Sequence, residues 1–104
     1  MHYSYGELIN DLNSGAITGF YFCVNGYAHY KKCSIFRKYD GISNDKTLTR
    51  IEVNLTADGT EMHSFFKIFQ DDFKLFNMGR KGKFTLKQLW DHITILEVID
   101  SSMQ

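Results

Sequence analysis

The residue types best suited to chemistry in this chain are two cysteines and a histidine that lie close together, Cys23, Cys33 and His29. Thiolate and imidazole groups are usual ligands of zinc, so this spacing raises a metal site as the first hypothesis. The segment that carries them is predicted to be a β-hairpin, because Asn25-Gly26 separates two runs rich in aromatic and β-branched residues. Whether the three side chains meet depends on the register of that hairpin.

The predicted register argues against a shared metal ion. A two-residue loop of type I′ pairs Val24 with Tyr27, and therefore Thr18 with Cys33. Because successive side chains of a strand point to alternate faces, Cys23 and Cys33 then lie on opposite sides of the ribbon. The sequence accordingly predicts two unbridged cysteines, no metal site and no cofactor.

No arrangement typical of an enzyme accompanies these residues. The four histidines, His2, His29, His63 and His92, have no nucleophile motif such as Gly-x-Ser-x-Gly beside them. The stretch Gly79-Arg80-Lys81-Gly82-Lys83 is glycine-rich and basic, but it matches neither the P-loop nor the dinucleotide fingerprint. We predict a solvated turn there, and a protein without catalytic residues or enzymatic activity.

A mixture of aromatic and basic side chains is the clearest indication of a binding surface. It runs from Tyr27 to Tyr39 on a predicted sheet, and the basic turn that follows Gly79 extends it. Aromatic rings that stack on bases, beside cations that contact phosphates, are typical of single-stranded nucleic-acid binding. The candidate binding residues are Tyr27, Tyr30, Lys31, Lys32, Arg37, Lys38, Tyr39, Arg80, Lys81 and Lys83.

The charge balance favours a protein partner over a nucleic acid. Twelve Lys and Arg offset twelve Asp and Glu, so the formal net charge is zero and no overall field attracts polyanions. Tyrosine, which is common at interaction surfaces, is abundant in the first half of the chain. We predict a small non-enzymatic protein that binds another protein, of the inhibitor, immunity or adaptor type. Binding of single-stranded nucleic acid and formation of a homodimer are the alternatives that stay open.

Length and composition predict one domain over residues 1–104. With 43% hydrophobic and 15% aromatic residues, the chain has enough large apolar side chains for one core. It has neither a secretion signal nor a stretch of roughly 20 apolar residues, so we expect a cytoplasmic protein that does not enter membranes. The abundance of Phe, Tyr, Ile, Asn and Lys without any proline suits a bacterial, phage or mobile-element gene.

The pattern of apolar residues predicts an α+β fold that is mainly antiparallel β-sheet. About five or six strands form a meander of hairpins, with a short helix near each end of the chain. The helices are predicted over Tyr5–Asn13 and Leu86–His92, with Ser4 and Thr85 as their N-caps. The strands are predicted over residues 17–24, 27–37, 47–56, 61–69 and 94–99.

One segment, Met62–Phe76, is open to two interpretations. Asp58-Gly59 before it and Gln70-Asp71-Asp72 within it are turn residues that favour strands. The spacing of its phenylalanines also fits one face of a helix. We expect strands here and keep the helix as the alternative.

Overall fold

The computed structural model describes residues 3–38 and 49–101, which form an α+β fold. The elements in chain order are the helix α1 (Tyr5–Ser14) and the strands β1 (Ile17–Val24), β2 (Cys33–Lys38), β3 (Arg50–Asn54), β4 (Met62–Phe66), β5 (Phe76–Asn77), β6 (Lys83–Phe84) and β7 (Ile93–Asp100). Five strands form an antiparallel sheet in the order β4-β3-β2-β1-β7, and β5 pairs with β6 in a separate hairpin. The predicted fold class, mainly antiparallel sheet with an N-terminal helix, is confirmed.

The helix α1 begins and ends at local sequence features that predict it. The Ser4 hydroxyl accepts a hydrogen bond from the N–H of Glu7 over 3.2 Å, which satisfies one free donor of the first turn. Gly15 ends the helix with a left-handed φ of 87° and donates its N–H to the carbonyl of Leu12. The residues that α1 buries in the core are Leu8, Ile9 and Leu12. The helix is too short to span a membrane, and no other helix of the described residues could do so.

The two faces of the sheet differ in burial. Strand alternation turns Phe20, Phe22, Ile35, Ile51 and Val53 to the core face, where each is fully buried. The core is completed by α1 and by apolar residues from the chain between β4 and β7, namely Phe69, Leu75, Phe76, Met78, Leu86 and Leu89. We call the opposite side the open face, because its side chains are half-buried or exposed; they are Tyr21, Cys23, Ser34, Phe36, Lys38, Arg50, Glu52, Asn54, Met62, Ser64, Phe66, Thr94, Glu97 and Ile99.

The prediction of a helix over Leu86–His92 is wrong. The segment forms turns and ends in a 3₁₀ turn, with bonds between residues three apart such as Leu89 N–H to Leu86 O (3.1 Å). The predicted cap is present, because Thr85 and Gln88 exchange hydrogen bonds of 2.8 and 3.1 Å in a capping box. So short a segment gains too few i to i+4 bonds to offset the cost of nucleating a helix.

The predicted type I′ turn at Asn25-Gly26 is wrong as well. Gly26 has a φ of 85° but Asn25 does not have positive φ, and the N–H of Tyr27 bonds to the carbonyl of Val24 over 3.2 Å. This geometry is that of a type II turn, whose twist does not match the flanking strands of a tight hairpin. The chain therefore leaves the sheet, makes a 3₁₀ turn over Ala28–Tyr30 and re-enters it at β2.

The longer connection changes the register of β1 and β2, but it does not move their side chains to the other face of the sheet. Cys33 pairs with Phe22 instead of Thr18, a shift by an even number of residues. Cys33 consequently lies in the core, fully buried, while Cys23 is half-buried on the open face. The two cysteines are thus on opposite sides of the sheet, as the alternation predicts.

Within Met62–Phe76 only β4 and Phe76, the first residue of β5, are strand, and the helical alternative is wrong. After β4 the chain turns at Lys67, whose φ of 72° is unusual for a residue with a side chain. Residues 67–75 have no helix or strand, yet they bury Phe69 and Leu75 in the core. Phe69 and Phe76 pack in the core, whereas Phe66 and Phe73 are exposed, so the spacing of the phenylalanines does not mark a helical face.

Candidate functional site

The structure distributes the candidate binding residues over several places instead of one surface. Tyr30 belongs to the core and is 2% exposed. Its hydroxyl accepts a hydrogen bond from the N–H of Asn77 (2.9 Å) and donates to the carbonyl of the same residue (3.3 Å). Burial raises the pKa of Tyr30. Tyr30 therefore anchors β5 from within the core and is not free to stack on a ligand.

Arg37 is also occupied within the fold. Its Nη1 donates to the carbonyl oxygens of Leu12 and Asn13, each over 3.0 Å. These carbonyls lie at the end of α1, where backbone acceptors lack the i+4 N–H donor that the helix interior provides. Arg37 thereby joins β2 to the C-terminus of the helix.

The other basic residues of the segment lie apart. Lys31 and Lys32 are exposed beside a shallow hollow of about 400 Å³ that Leu96 also lines. Lys38 lies on the open face, with Nζ 5.8 Å from the centre of the Phe36 ring. Tyr39 lies outside the described residues.

Tyr27, Arg80 and Lys81 are brought together around one groove of about 740 Å³. The groove lies where the turn after β1 meets the β5–β6 hairpin and the turn that precedes β7. Lys83 is exposed on β6, next in sequence to the groove residue Phe84. The residues that line the groove are Asn25, Gly26, Tyr27, Met78, Arg80, Lys81, Phe84, Gln88, Leu89 and His92.

The groove has an apolar floor and a cationic rim. Met78 and Leu89 are buried beneath it, and Tyr27 and Phe84 are half-buried at its sides. The side chain of Lys81 lies over one wall, with Nζ 6.0 Å from the centre of the Tyr27 ring. None of the lining residues is acidic. A planar apolar group with an attached anion therefore complements this site.

The basic turn of the groove is held by a set of backbone hydrogen bonds. The N–H of Met78 bonds to the carbonyl of Gly82 over 2.8 Å, and the N–H of Gly82 returns to the carbonyl of Gly79 over 3.0 Å. The side chain of Asn77 accepts from the N–H of Gly79 (3.0 Å), and Tyr30 fixes Asn77 in turn. The core thus holds this turn in place.

A second candidate site is the aromatic pair on the open face. The rings of Tyr21 and Phe36 meet edge to face, with centroids 5.1 Å apart. The residue opposite Phe36 on β1 is Gly19, whose lack of a side chain leaves room for the Phe36 ring. Strand alternation places Tyr21 and Phe36 on the same face in the predicted register too, but only the observed register, which pairs Phe36 with Gly19, makes the two rings neighbours.

Two further apolar side chains of the open face lie on the edge strand β4, and the polar residues Arg50, Glu52 and Asn54 of β3 separate them from this pair. Met62 and Phe66 of β4 are 51% and 65% exposed, and Phe66 is the most exposed large hydrophobic side chain among the described residues. The cross-strand register places Phe66 beside Arg50, and Arg50 beside Lys38. Glutamates lie beside both rings, because Tyr21 pairs with Glu97 and Phe36 with Glu52.

Comparison with models of protein families, with curated proteins and with solved structures finds no match to this chain. Its function has therefore to be argued from the groove and the open face alone. Within residues 3–38 and 49–101, no group of three or more His, Cys, Asp or Glu side chains is placed to hold a metal ion. His29, the third member of the hypothetical metal site, instead lies 2.9 Å from a carboxylate oxygen of Glu61.

Proposed function

We propose that this chain is a non-enzymatic protein-binding module that holds a partner protein on its open face. The observation that carries this proposal is the pair of exposed apolar side chains on β4, Met62 and Phe66. They lie on the same side of the sheet as the Tyr21–Phe36 pair. Covering the exposed half to two-thirds of each side chain against a partner releases roughly 1–2 kcal/mol each. Binding would therefore remove the apolar surface that folding leaves exposed.

The aromatic pair is suited to anchor such a contact because it is already ordered. Tyr21 and Phe36 lie on the two adjacent strands β1 and β2, and their edge-to-face contact restricts both rings. An ordered ring loses less conformational entropy on binding than a free one. Half-buried aromatic residues in the middle of a surface, with polar residues around them, are the usual arrangement of an interface hot spot.

The charges on this face favour a protein over a nucleic acid. Glu97 and Glu52 are the cross-strand neighbours of Tyr21 and Phe36, and such neighbours lie about 4.5–5.5 Å apart at Cβ. A base stacked on Tyr21 would bring its phosphate close to the carboxylate of Glu97, where like charges repel, whereas Phe36 has Lys38 as well as Glu52 beside it. A polypeptide backbone carries no such charge, so the glutamates do not oppose it.

The partner should combine an apolar segment with an acidic residue. Lys38 and Arg50 are paired across β2 and β3 at the end of the face that Phe66 occupies. Neither has a carboxylate within ion-pair distance among the described residues. We expect an acidic side chain of the partner to lie over this pair while an apolar residue contacts Phe66.

Recovery of the partner from a host lysate on immobilised wild-type and variant chains tests the proposal. Phe66→Ser and Met62→Ser each remove an exposed anchor, and each should reduce recovery by about tenfold or more. Ile68→Ser is the matched control, because Ile68 is 47% exposed but lines a hollow next to α1, away from the open face. It should change recovery by less than about twofold.

A nuclease-treated lysate distinguishes the two classes of partner. A protein complex on the open face survives nuclease, whereas a complex held by nucleic acid is lost. Recovery that all three variants leave unchanged, or that nuclease abolishes, would contradict the proposal.

A further inference from the structure

The groove between Tyr27 and Phe84 is a concave site apart from the open face, and none of its residues belongs to that face. Its volume of about 740 Å³ lies within the range of roughly 300–1,000 Å³ that is usual for small-molecule sites. It combines aromatic walls and an apolar floor with two cations and no acid. This composition differs from that of the open face, where each ring has a glutamate beside it.

We propose that this groove binds a nucleotide, with the base against Tyr27 and Phe84 and the phosphate at Arg80 and Lys81. A base is a flat aromatic group that gains from stacking on a ring. The ligand is either a free nucleotide or one unit of a single strand. Both present the same base and phosphate to the groove.

The phosphate position follows from the two cations of the basic turn. Arg80 and Lys81 are exposed, and neither has a carboxylate within 4.0 Å among the described residues. Lys87 shows the contrast, because its Nζ lies 3.9 Å from a carboxylate oxygen of Asp71. Guanidinium and ammonium groups that have no intramolecular carboxylate partner, and are held on an ordered turn, are well suited to charge-assisted bonds with phosphate.

The base position follows from the walls and from one amide. Gln88 accepts a hydrogen bond from the N–H of Thr85 through Oε1 (2.8 Å), which leaves its NH₂ group to donate. This amide lines the same groove as Tyr27 and Phe84. A base between the walls would therefore find both a stacking surface and a donor for one of its ring or carbonyl acceptors.

Titration of the isotope-labelled full chain with AMP, with a ten-residue oligothymidylate and with inorganic phosphate tests the site. Backbone amide signals of Tyr27 and Lys81 should move with AMP or with the oligonucleotide. If AMP alone moves these signals, the ligand of the groove is a free nucleotide. If the oligonucleotide binds more than about tenfold more tightly, with affinity that falls steeply with salt, the source is a single strand. Either outcome supports the site.

Variants with matched charge separate the groove from general electrostatic attraction. Arg80→Gln with Lys81→Gln removes two cations from the groove and should weaken binding by about tenfold or more. Lys31→Gln with Lys32→Gln removes two exposed cations elsewhere and should weaken it by less than about twofold. Tyr27→Leu should weaken it by at least about fivefold, because the stacking surface is lost.

Three results would overturn the assignment. One is the absence of any shift at Tyr27 and Lys81 with AMP and with the oligonucleotide at millimolar concentration. Another is equal weakening by both double substitutions, which would show attraction by overall charge. The third is binding of phosphate as tight as that of AMP together with no effect of Tyr27→Leu, which would exclude a role for the base.

Discussion

The ring of Phe36 lies over the backbone of Gly19 on the adjacent strand. A Cβ at Gly19 would come within 2.4 Å of Cδ1 of that ring and within 2.4 Å of the carbonyl oxygen of Ile35. The open face can hold its aromatic pair in this position only because residue 19 has no side chain. Gly19 is therefore a structural requirement of the proposed binding surface.

Gly19→Ala should lower the free energy of unfolding by at least about 1–3 kcal/mol, since both ring and backbone must move. Chemical denaturation measures this loss. Gly6→Ala is the control: Gly6 lies in α1 with no atom within 4 Å of the added Cβ. It should raise the free energy of unfolding by about 0.4–1 kcal/mol. Equal stability of the Gly19 variant and the wild type would mean that Phe36 does not occupy this position.

Tyr5→Phe should leave the free energy of unfolding unchanged or raise it by up to about 1 kcal/mol. The Tyr5 hydroxyl is buried and has no hydrogen-bond partner among the described residues. Burial, and next the charge of Asp71, raises the pKa of Tyr5 well above its usual value. Removing a buried unsatisfied hydroxyl relieves its desolvation cost.

Trp90→Phe provides the contrast for this measurement. The Trp90 ring meets the ring of Tyr5 edge to face at 5.3 Å, a contact that Tyr5→Phe retains. The indole Nε1, however, donates to the carbonyl of Tyr3 over 2.9 Å. Trp90→Phe loses this bond and should cost about 0.5–1.5 kcal/mol. A larger loss for Tyr5→Phe than for Trp90→Phe would contradict this account.

Arg37→Met should lower the free energy of unfolding by about 1.5–3 kcal/mol, because the carbonyls of Leu12 and Asn13 lose a charged donor. Its neighbour Lys38 is exposed on the open face, so Lys38→Met should change stability by less than about 0.5 kcal/mol. Thermal or chemical denaturation distinguishes the two. Similar effects of both substitutions would show that Arg37 does not hold the end of α1.

The fold of β1 and α1 follows from local sequence features. The sequence predicts β1 over Ile17–Val24, and the strand covers the same residues, because aromatic and β-branched side chains run between Gly15 and Asn25-Gly26. The register of β2 against β1 does not follow from local sequence features. It depends on Asn25 lacking the positive φ of a type I′ turn, and on the 3₁₀ turn over Ala28–Tyr30. Both depend on tertiary packing rather than on residue type.

The candidate sites are less predictable from sequence than the fold. Tyr30 and Arg37 have suitable side chains for binding, but their partners, Asn77 and the end of α1, are far away in the chain. No local pattern reveals that they are occupied. No local pattern reveals the groove either, because Tyr27 and Lys81 are far apart in the chain and only the fold brings them together.

Cys33 should resist thiol reagents in the folded protein, whereas Cys23 reacts. Burial, and next the charge of Cys23, raises the pKa of Cys33 to about 12, and its thiol donates to the carbonyl of Leu55 over 3.3 Å. At pH 8, Ellman's reagent should modify one thiol quickly and the other only as fast as the protein unfolds. Cys23→Ala should remove the fast phase, and rapid modification of both thiols would contradict the burial of Cys33.

The same raised pKa makes stability depend on alkaline pH. An unfolded cysteine has a pKa of about 8.5, so the stabilisation from protonated Cys33 is fully present below that pH. It is lost as pH rises toward the folded value of about 12. Cys33→Ala should therefore show a smaller fall in the free energy of unfolding between about pH 9 and 11 than Cys23→Ala, in which Cys33 is retained. Identical pH profiles would contradict this assignment.

Site-specific photo-crosslinking tests the central claim, that a protein partner occupies the open face, most directly. A photoreactive residue is placed in the host either at Ser64, on the open face, or at Asn10, which is also exposed but lies on α1. We predict one discrete protein adduct from position 64 that resists nuclease and disappears with Phe66→Ser, and none from position 10. Adducts of equal yield from both positions, or a nucleic-acid adduct from position 64, would contradict the account.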